Sequence, residues 1–359
     1  MLKFNRLTMF TFFTFFITAN LAFAENRWIY DTKSTDLQMI QADGVRDRIY
    51  LLDSGNSRFV IIDSRTEKII KTIPMTTPLS DMSISKNHRY AIIATDGDIM
   101  RVNLETLDAE SFSINDLLVE SLTFDFREDV YFVTRYSAPD HIYHLRSNLT
   151  DIVDTFGVGE NLSEPVNFGL LRTDPTGVSL FVGQRDISPA RIDKFDVTTD
   201  TPVFLGRTVH SGQYSIGSSM EDFAISPTHD ELYVATTDFT PAIKVVDTTT
   251  LYRLVDFETV DQPVGVSIDR VGKELLAITN NFYTNKMYRF KLKPRGLLKE
   301  YDLLSDVWHG HGQPRGVAFD QQGKKAFIIH GHPDYEEMKV QVVDIRRSPC
   351  IDVASVEEM

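Results

Sequence analysis

An internal repeat constrains this chain more than any other feature. One unit recurs: an apolar strand, a turn, a second apolar strand, a polar loop, then an alternating strand that ends in Asp or a substitute. The clearest copy has Ile49-Tyr50-Leu51-Leu52-Asp53, then Ser54 to Arg58, then Phe59-Val60-Ile61-Ile62-Asp63. A turn at Ser64-Arg65-Thr66-Glu67 leads into Lys68-Ile69-Ile70-Lys71-Thr72-Ile73. Short apolar or period-two runs, punctuated by Gly, Asn, Asp and Pro, read as strands and turns. First strands begin at Asp36, Ser80, Glu120, Asn167, Glu221, Val264 and Arg315. Third strands close at Asp63, Asn103, Arg146, Asp196, Asp247, Lys291 and Asp344, at intervals of 40, 43, 50, 51, 44 and 53 residues.

Four strands in roughly 40–50 residues is the period of a propeller blade. No 3.6-residue periodicity favours a helical solenoid. The repeat therefore predicts an all-β chain: a seven-bladed β-propeller with four-stranded antiparallel blades, one domain over residues 25–349. After Asp344 the last unit has no good fourth strand, because Ser348-Pro349 interrupts it. The segment Arg27-Trp28-Ile29-Tyr30-Asp31 has no first-blade partner of its own. It is predicted to supply the outer strand of blade seven, which closes the ring and removes an open edge. Residues 350–359 are then a polar tail.

The repeat is similar to that of the YVTN-repeat propellers, within the wider set of WD40/YVTN repeat-like chains. The matching residues are Leu232-Tyr233-Val234-Ala235-Thr236-Thr237, Ile243-Lys244-Val245-Val246-Asp247-Thr248-Thr249-Thr250 and Ile278-Thr279-Asn280-Asn281. The joints Gln262-Pro263-Val264-Gly265-Val266 and Gln313-Pro314-Arg315-Gly316-Val317-Ala318 resemble the P-x-G-V-A joint of that family. The likeness is strong in blades one, five, six and seven. It is weak in blades two to four, where the joint proline and closing Asp are partly lost. It implies a bacterial, periplasmic fold and specifies no activity. In amine dehydrogenases a similar propeller is the large scaffold chain beside a smaller catalytic one.

The N-terminus has the three parts of a cleavable signal: Lys3 and Arg6, an uncharged apolar stretch from Leu7 to Leu21, and the small-x-small site Ala22-Phe23-Ala24. Residues 1–24 are expected to be removed, leaving a periplasmic or secreted protein with no membrane insertion. Loss of Lys3 and Arg6 takes the net charge from −14 to −16. That balance argues against nucleic acid as a partner and fits cationic ligands. Cys350 is the one cysteine, so no internal disulfide, haem-attachment motif or cysteine-rich zinc site is available.

Within a blade the strands run antiparallel from the axis outward. The joint between blades and the loop between second and third strands therefore share one face, where a rigid scaffold presents its loops. Two HGH tripeptides fall there: His309-Gly310-His311 and His330-Gly331-His332, followed by Asp334 and Glu336. Neutral imidazoles with a carboxylate suit Zn, Cu, Ni or Fe. Asp81, Glu120, Glu221 and Asp222 begin inner strands, so they are expected at the channel mouth, where Ca²⁺ suits carboxylates and carbonyls. Arg135, Asp140, Arg185, Asp186, His210 and Asp238 fall on the same face.

No G-x-S-x-G elbow, HExxH helix or phosphate-binding glycine loop is present. Two tryptophans, Trp28 and Trp308, are too few for the Trp-rich quinone-dependent propeller dehydrogenases. Two classes of function stay open. One is a binding or scaffold module for a protein partner or small ligand on the loop face. The other uses the His309/His311/His330/His332 cluster for metal binding, or as a metal-dependent lactonase-like hydrolase or lyase.

Overall fold

The computed structural model describes residues 26–135, 141–166, 168–185, 187–209, 211–238, 240–280, 285–304, 312–331 and 337–345. The expected signal segment 1–24 and tail 350–359 lie outside them. Strand β1 (Asn26–Ser34) precedes β2 (Leu37–Ala42), β3 (Arg48–Asp53), β4 (Arg58–Asp63) and β5 (Ile69–Pro74), and β2 to β5 form an antiparallel sheet in chain order. Next come β6 (Leu79–Ile84), β7 (Tyr90–Asn103), β8 (Ala109–Phe124), β9 (Val130–Thr134), β10 (Ile142–Leu145) and β11 (Ile152–Phe156). They are followed by β12 (Gly169–Thr173), β13 (Ser179–Gln184), β14 (Arg191–Asp196) and β15 (Val203–Arg207) in one sheet. A second holds β16 (Met220–Ile225), β17 (Glu231–Thr236), β18 (Ala242–Asp247) and β19 (Arg253–Glu258). A third holds β20 (Gln262–Ile268), β21 (Glu274–Asn280), β22 (Lys286–Lys291) and β23 (Gly296–Asp302). Last are β24 (Gly312–Phe319), β25 (Lys325–His330) and β26 (Met338–Asp344), and β1 pairs with β26 to complete their sheet.

The expectation of seven blades is corrected. Five blades of four strands form, and β6 to β11 make a single six-stranded sheet. The cause lies in two long strands. β7 runs through Asp96-Gly97-Asp98 with a slip in register, and Gly97 takes a φ of +88°, a conformation glycine adopts without a Cβ clash. β8 pairs with β7 from Ala109 to Ser113 and with β9 from Val119 to Phe124. Pro263 and Pro314 withhold a backbone donor at later joints. The stretch Asn115-Asp116-Leu117-Leu118 has no proline, and β8 runs through it.

The core lies between neighbouring sheets. Tyr30, Phe327 and Val340 of the last sheet pack against Leu51 and Val60 of the first. Tyr50 and Phe59 then pack against Met82 and Ile93. Buried tyrosines need a partner for the hydroxyl. Tyr50 donates to Asp43 at 2.6 Å, Tyr233 to Glu231 at 2.5 Å, and Tyr288 accepts from the Val260 amide at 3.1 Å.

The repeated closing Asp or Asn has a local cause. Asp63 accepts the amides of Arg65 and Thr66, Asn103 those of Glu105 and Thr106, and Asp247 those of Thr249 and Thr250. A short side chain with an acceptor oxygen builds this turn. The residues four positions on, Glu67, Leu107 and Leu251, have φ of 60°, 62° and 59° and bond back to the carbonyl of the closing residue. Turns at the feet of inner strands use the same device, with Asp43, Ser85, Asp125, Ser226, Asp269 and Asp320 as acceptors.

Candidate functional site

The inner strands follow one another round the axis: β2, β6, the second half of β8, β12, β16, β20 and β24, with β24 against β2. In β2, β6, β8, β16 and β20 the pairing slips by one residue as the strand begins, at Gln38, Ser80, Glu120, Glu221 and Val264. Such a bulge re-aims side chains. The residue after the bulge then fastens the next inner strand. Asp81 Oδ1 accepts from the Met82 amide at 2.8 Å, and Oδ2 accepts from the Ser121 hydroxyl at 2.7 Å and the Leu122 amide at 2.8 Å. Asp222 repeats the pattern with the Phe223 amide at 2.9 Å and the Val266 amide at 3.1 Å. Ser121 Oγ accepts from the Leu171 amide at 3.0 Å.

Arginines complete the mouth. Arg315 begins in the last sheet and reaches across the axis to form an ion pair with Asp81, donating also to Ser121 at 3.2 Å. It is buried, and burial pushes its guanidinium down to about 10 although Asp81 opposes this. Arg185 donates to Glu120 at 2.7 Å. Burial raises the Glu120 carboxyl, with Arg185, Arg135 and Arg315 opposing. Arg172 Nη2 is 3.8 Å from Asp222 Oδ1. Burial likewise raises Asp222, against Arg172 and Arg315. Glu221 stands partly exposed at the start of β16.

The structure thus brings together the predicted mouth residues Asp81, Glu120 and Asp222, with Arg185, which the sequence places on the same face, and with Arg172 and Arg315, which it does not place there. Every carboxylate oxygen of Asp81 already has a donor. The donor set suits guanidinium groups rather than a Ca²⁺ ion, which needs six to eight free oxygens. At the other end of the axis Lys86, in the β6–β7 turn, donates to the carbonyls of Asp174 at 2.7 Å and Thr173 at 3.4 Å.

Of the predicted histidine cluster, His330 is described. It ends β25, is buried, and its ring lies 5.7 Å from that of Trp28 on β1. His309, His311, His332 and Asp334 lie outside the described residues, as do Glu336, Asp140, Asp186 and His210.

A group the sequence reading missed is Asp125, Asp129 and His144, buried, each offering one ligand atom within 4.8 Å of the others. By residue type it is a possible metal group. Its atoms are engaged. Asp125 Oδ1 accepts the amides of Arg127 and Asp129, and Oδ2 takes the Arg127 guanidinium at 2.8 and 3.0 Å. Asp129 Oδ1 accepts the Ser147 amide at 2.8 Å, while Oδ2 is 3.1 Å from His144 Nε2 and 3.6 Å from both Arg127 and Arg146. His144 Nδ1 is 3.2 Å from the Asp200 carbonyl, and its ring stacks on Tyr131 at 4.5 Å. Two guanidinium groups around the carboxylates make this a poor cation site and a good fastening for the β8–β9 turn. Strand pairing of His144 with Tyr131 creates it, and no local spacing signals it.

No family model matches the chain, and no curated protein matches it. Solved structures do. A Kuenenia stuttgartiensis hydrazine synthase chain superposes with a TM-score of 0.66 at 11% identity, covering 86% of this chain and 96% of its own. A chain of a Mitotic Checkpoint Complex structure gives 0.65 at 12%, covering 96% and 98%. The Cps50 (Swd1) β-propeller domain of Myceliophteria thermophila gives 0.66 at 11%, covering 89% and 100%. At these identities the likeness shows the fold: the chain is a β-propeller. Among the described residues no helix is long and apolar enough to cross a membrane.

Proposed function

We propose that this chain is an exported propeller of the YVTN-repeat type that acts as a scaffold, docking a protein partner on the face where its inner strands begin. One observation carries the reading. Four joints on that face each expose a large apolar side chain: Leu118, Phe168, Tyr214 and Val260, the last at 69% exposure. Large apolar side chains presented by loops of a rigid scaffold suit a protein contact. The ionisable groups at the axis, in contrast, are occupied with one another. A structural neighbour drawn from a multi-protein complex supports the reading by analogy of fold. The three-part N-terminal pattern supports export to the periplasm, and the residues Tyr233-Val234-Ala235-Thr236 support the YVTN reading.

A photo-crosslinking residue in place of Phe168 or Val260, in the native host, is expected to capture one protein. The same residue in place of Val271, on the opposite face, is expected to capture none of it. Equal capture from both faces, or none from Phe168 and Val260, overturns the reading.

A further inference from the structure

The face where the inner strands begin carries unmatched charge of one sign. In its described joints and second-to-third-strand loops, Arg135 and Arg185 are the only lysine or arginine residues. Arg185 is paired with Glu120. Cations at the strand ends around this face are engaged as well: Arg58 with Asp53, Arg191 and Arg207 with Glu164, and Lys286 with Glu300. The acids are not matched in turn. Asp96, Glu160, Glu258 and Glu337 are exposed here, and among the described residues none of the four has a side-chain hydrogen bond or ion pair. The turns of the opposite face differ, mixing Lys68, Lys273, Lys293 and Lys324 with acids such as Asp108 and Asp230.

Two of the free carboxylates stand beside an exposed apolar side chain. Asp96 of β7 pairs directly across from Leu118 of β8, and its amide bonds to the Pro78 carbonyl in the joint before β6. Glu258 and Val260 flank Thr259 where β19 gives way to the joint before β20. Leu118 and Val260 are exposed. A lysine or arginine satisfies both halves of such a pair. Its methylene stem covers the apolar group while its charged head reaches the carboxylate. An acidic surface meets repulsion at the same place, and an apolar one strips water from the carboxylates without replacing it.

We propose that the partner docked on this face is basic: a protein that presents a lysine- or arginine-rich surface interspersed with apolar side chains. The proposal rests on the docking reading above and names the partner's chemistry. The one-sided charge of the face also draws a cationic partner in from a distance, an attraction that salt weakens.

The test is fluorescence anisotropy of a labelled peptide of about 20 residues repeating Lys-Leu-Gly, at about 0.1 M salt. Extended, it spans roughly 65 Å, enough to reach more than one joint. The parent chain is compared with Asp96→Asn/Glu258→Gln/Glu337→Gln and with Asp108→Asn/Glu128→Gln/Asp230→Asn, which removes the same charge from the opposite face. The first variant is expected to bind about tenfold more weakly and the second as the parent does. A peptide repeating Glu-Leu-Gly is expected not to bind. The proposal is overturned if the lysine peptide does not bind, if both variants weaken it equally, or if the two peptides bind alike. Photo-crosslinking from Val260, repeated in an Asp96→Asn/Glu337→Gln background, separates the two readings. Capture lost in that background supports a basic partner. Unchanged capture leaves the docking face standing and removes the basic partner, whereas no capture in the parent overturns the docking face and this proposal with it.

Discussion

The Tyr30 hydroxyl of β1 donates to Asp53 of β3 at 2.8 Å, tying the last sheet of the ring to the first. Asp53 also accepts from Ser34, Asn56 and Arg58. Burial alone would raise its carboxyl, but these hydrogen bonds outweigh burial and hold it below the usual range. A carboxyl depressed in the folded state lends stability above its unfolded value, and that stability is lost as pH falls through the folded value. Tyr30→Phe is expected to cost about 1 kcal/mol at neutral pH. Asp53→Asn is expected to flatten the loss of stability below about pH 4. Urea midpoints measured between about pH 2.5 and about pH 7, a span that covers the carboxylate titration, check both.

The Asp81–Arg315 pair predicts strong non-additivity. Asp81→Ala leaves a buried guanidinium uncompensated and three amide or hydroxyl donors, from Met82, Ser121 and Leu122, without their acceptor, at a cost of about 3–5 kcal/mol. Asp81→Ala with Arg315→Met removes the stranded charge and is expected to recover part of that loss. If the double variant is less stable than Asp81→Ala, the pairing described here is not what holds the mouth together.

Two glycines should behave in opposite ways. A Cβ on Gly265 would lie 2.9 Å from the Gln313 carbonyl oxygen of the neighbouring strand β24. Gly265→Ala is therefore expected to destabilise by roughly 1–3 kcal/mol, as overpacking against backbone does. Nothing lies within 4 Å of a Cβ on Gly296. Gly296→Ala is expected to be neutral or to stabilise by up to about 1 kcal/mol. Thermal melts of the two variants side by side decide the matter.

Lys86 gives a prediction at alkaline pH. Burial pushes its amine down to about 8 from 10.5, with Asp174 and Asp125 opposing weakly. Between those values the unfolded chain binds the proton that the folded chain has released, so stability rises with pH across that window. Below it the amine is charged in both states and contributes no slope. Lys86→Met should remove the rise. Urea midpoints that climb in parallel for both proteins from about pH 8 to 10 would rule out this assignment.

How far the sequence is legible depends on the range of each interaction. The strand repeat, the closing Asp63, Asn103 and Asp247, and the P-x-G-V joint around Gly265 act within a few residues or along one inter-strand contact, so their spacing is visible in the chain. The fusion of β6 to β11 is half visible: the missing proline near Leu118 is in plain sight, yet only pairing shows that β8 runs on. The mouth is visible as acids and opaque as a network. Asp81 and Asp222 read as free carboxylates because their partners, Arg315, Leu122 and Val266, come from other strands of the ring. The Asp125, Asp129 and His144 group is hidden for the same reason.

The pairing of β1 with β26 also has a consequence in time. The first strand of the fold to be made must wait for nearly the whole chain before its partner exists. Until then its backbone donors and acceptors form an open edge, the kind that pairs with other chains or invites a protease. Contacts between the chain ends also slow folding, since the longest loop closes last. A newly made molecule is therefore vulnerable longest at its own beginning. Shielding of residues 26–34 until β26 emerges is a requirement that this architecture places on the cell.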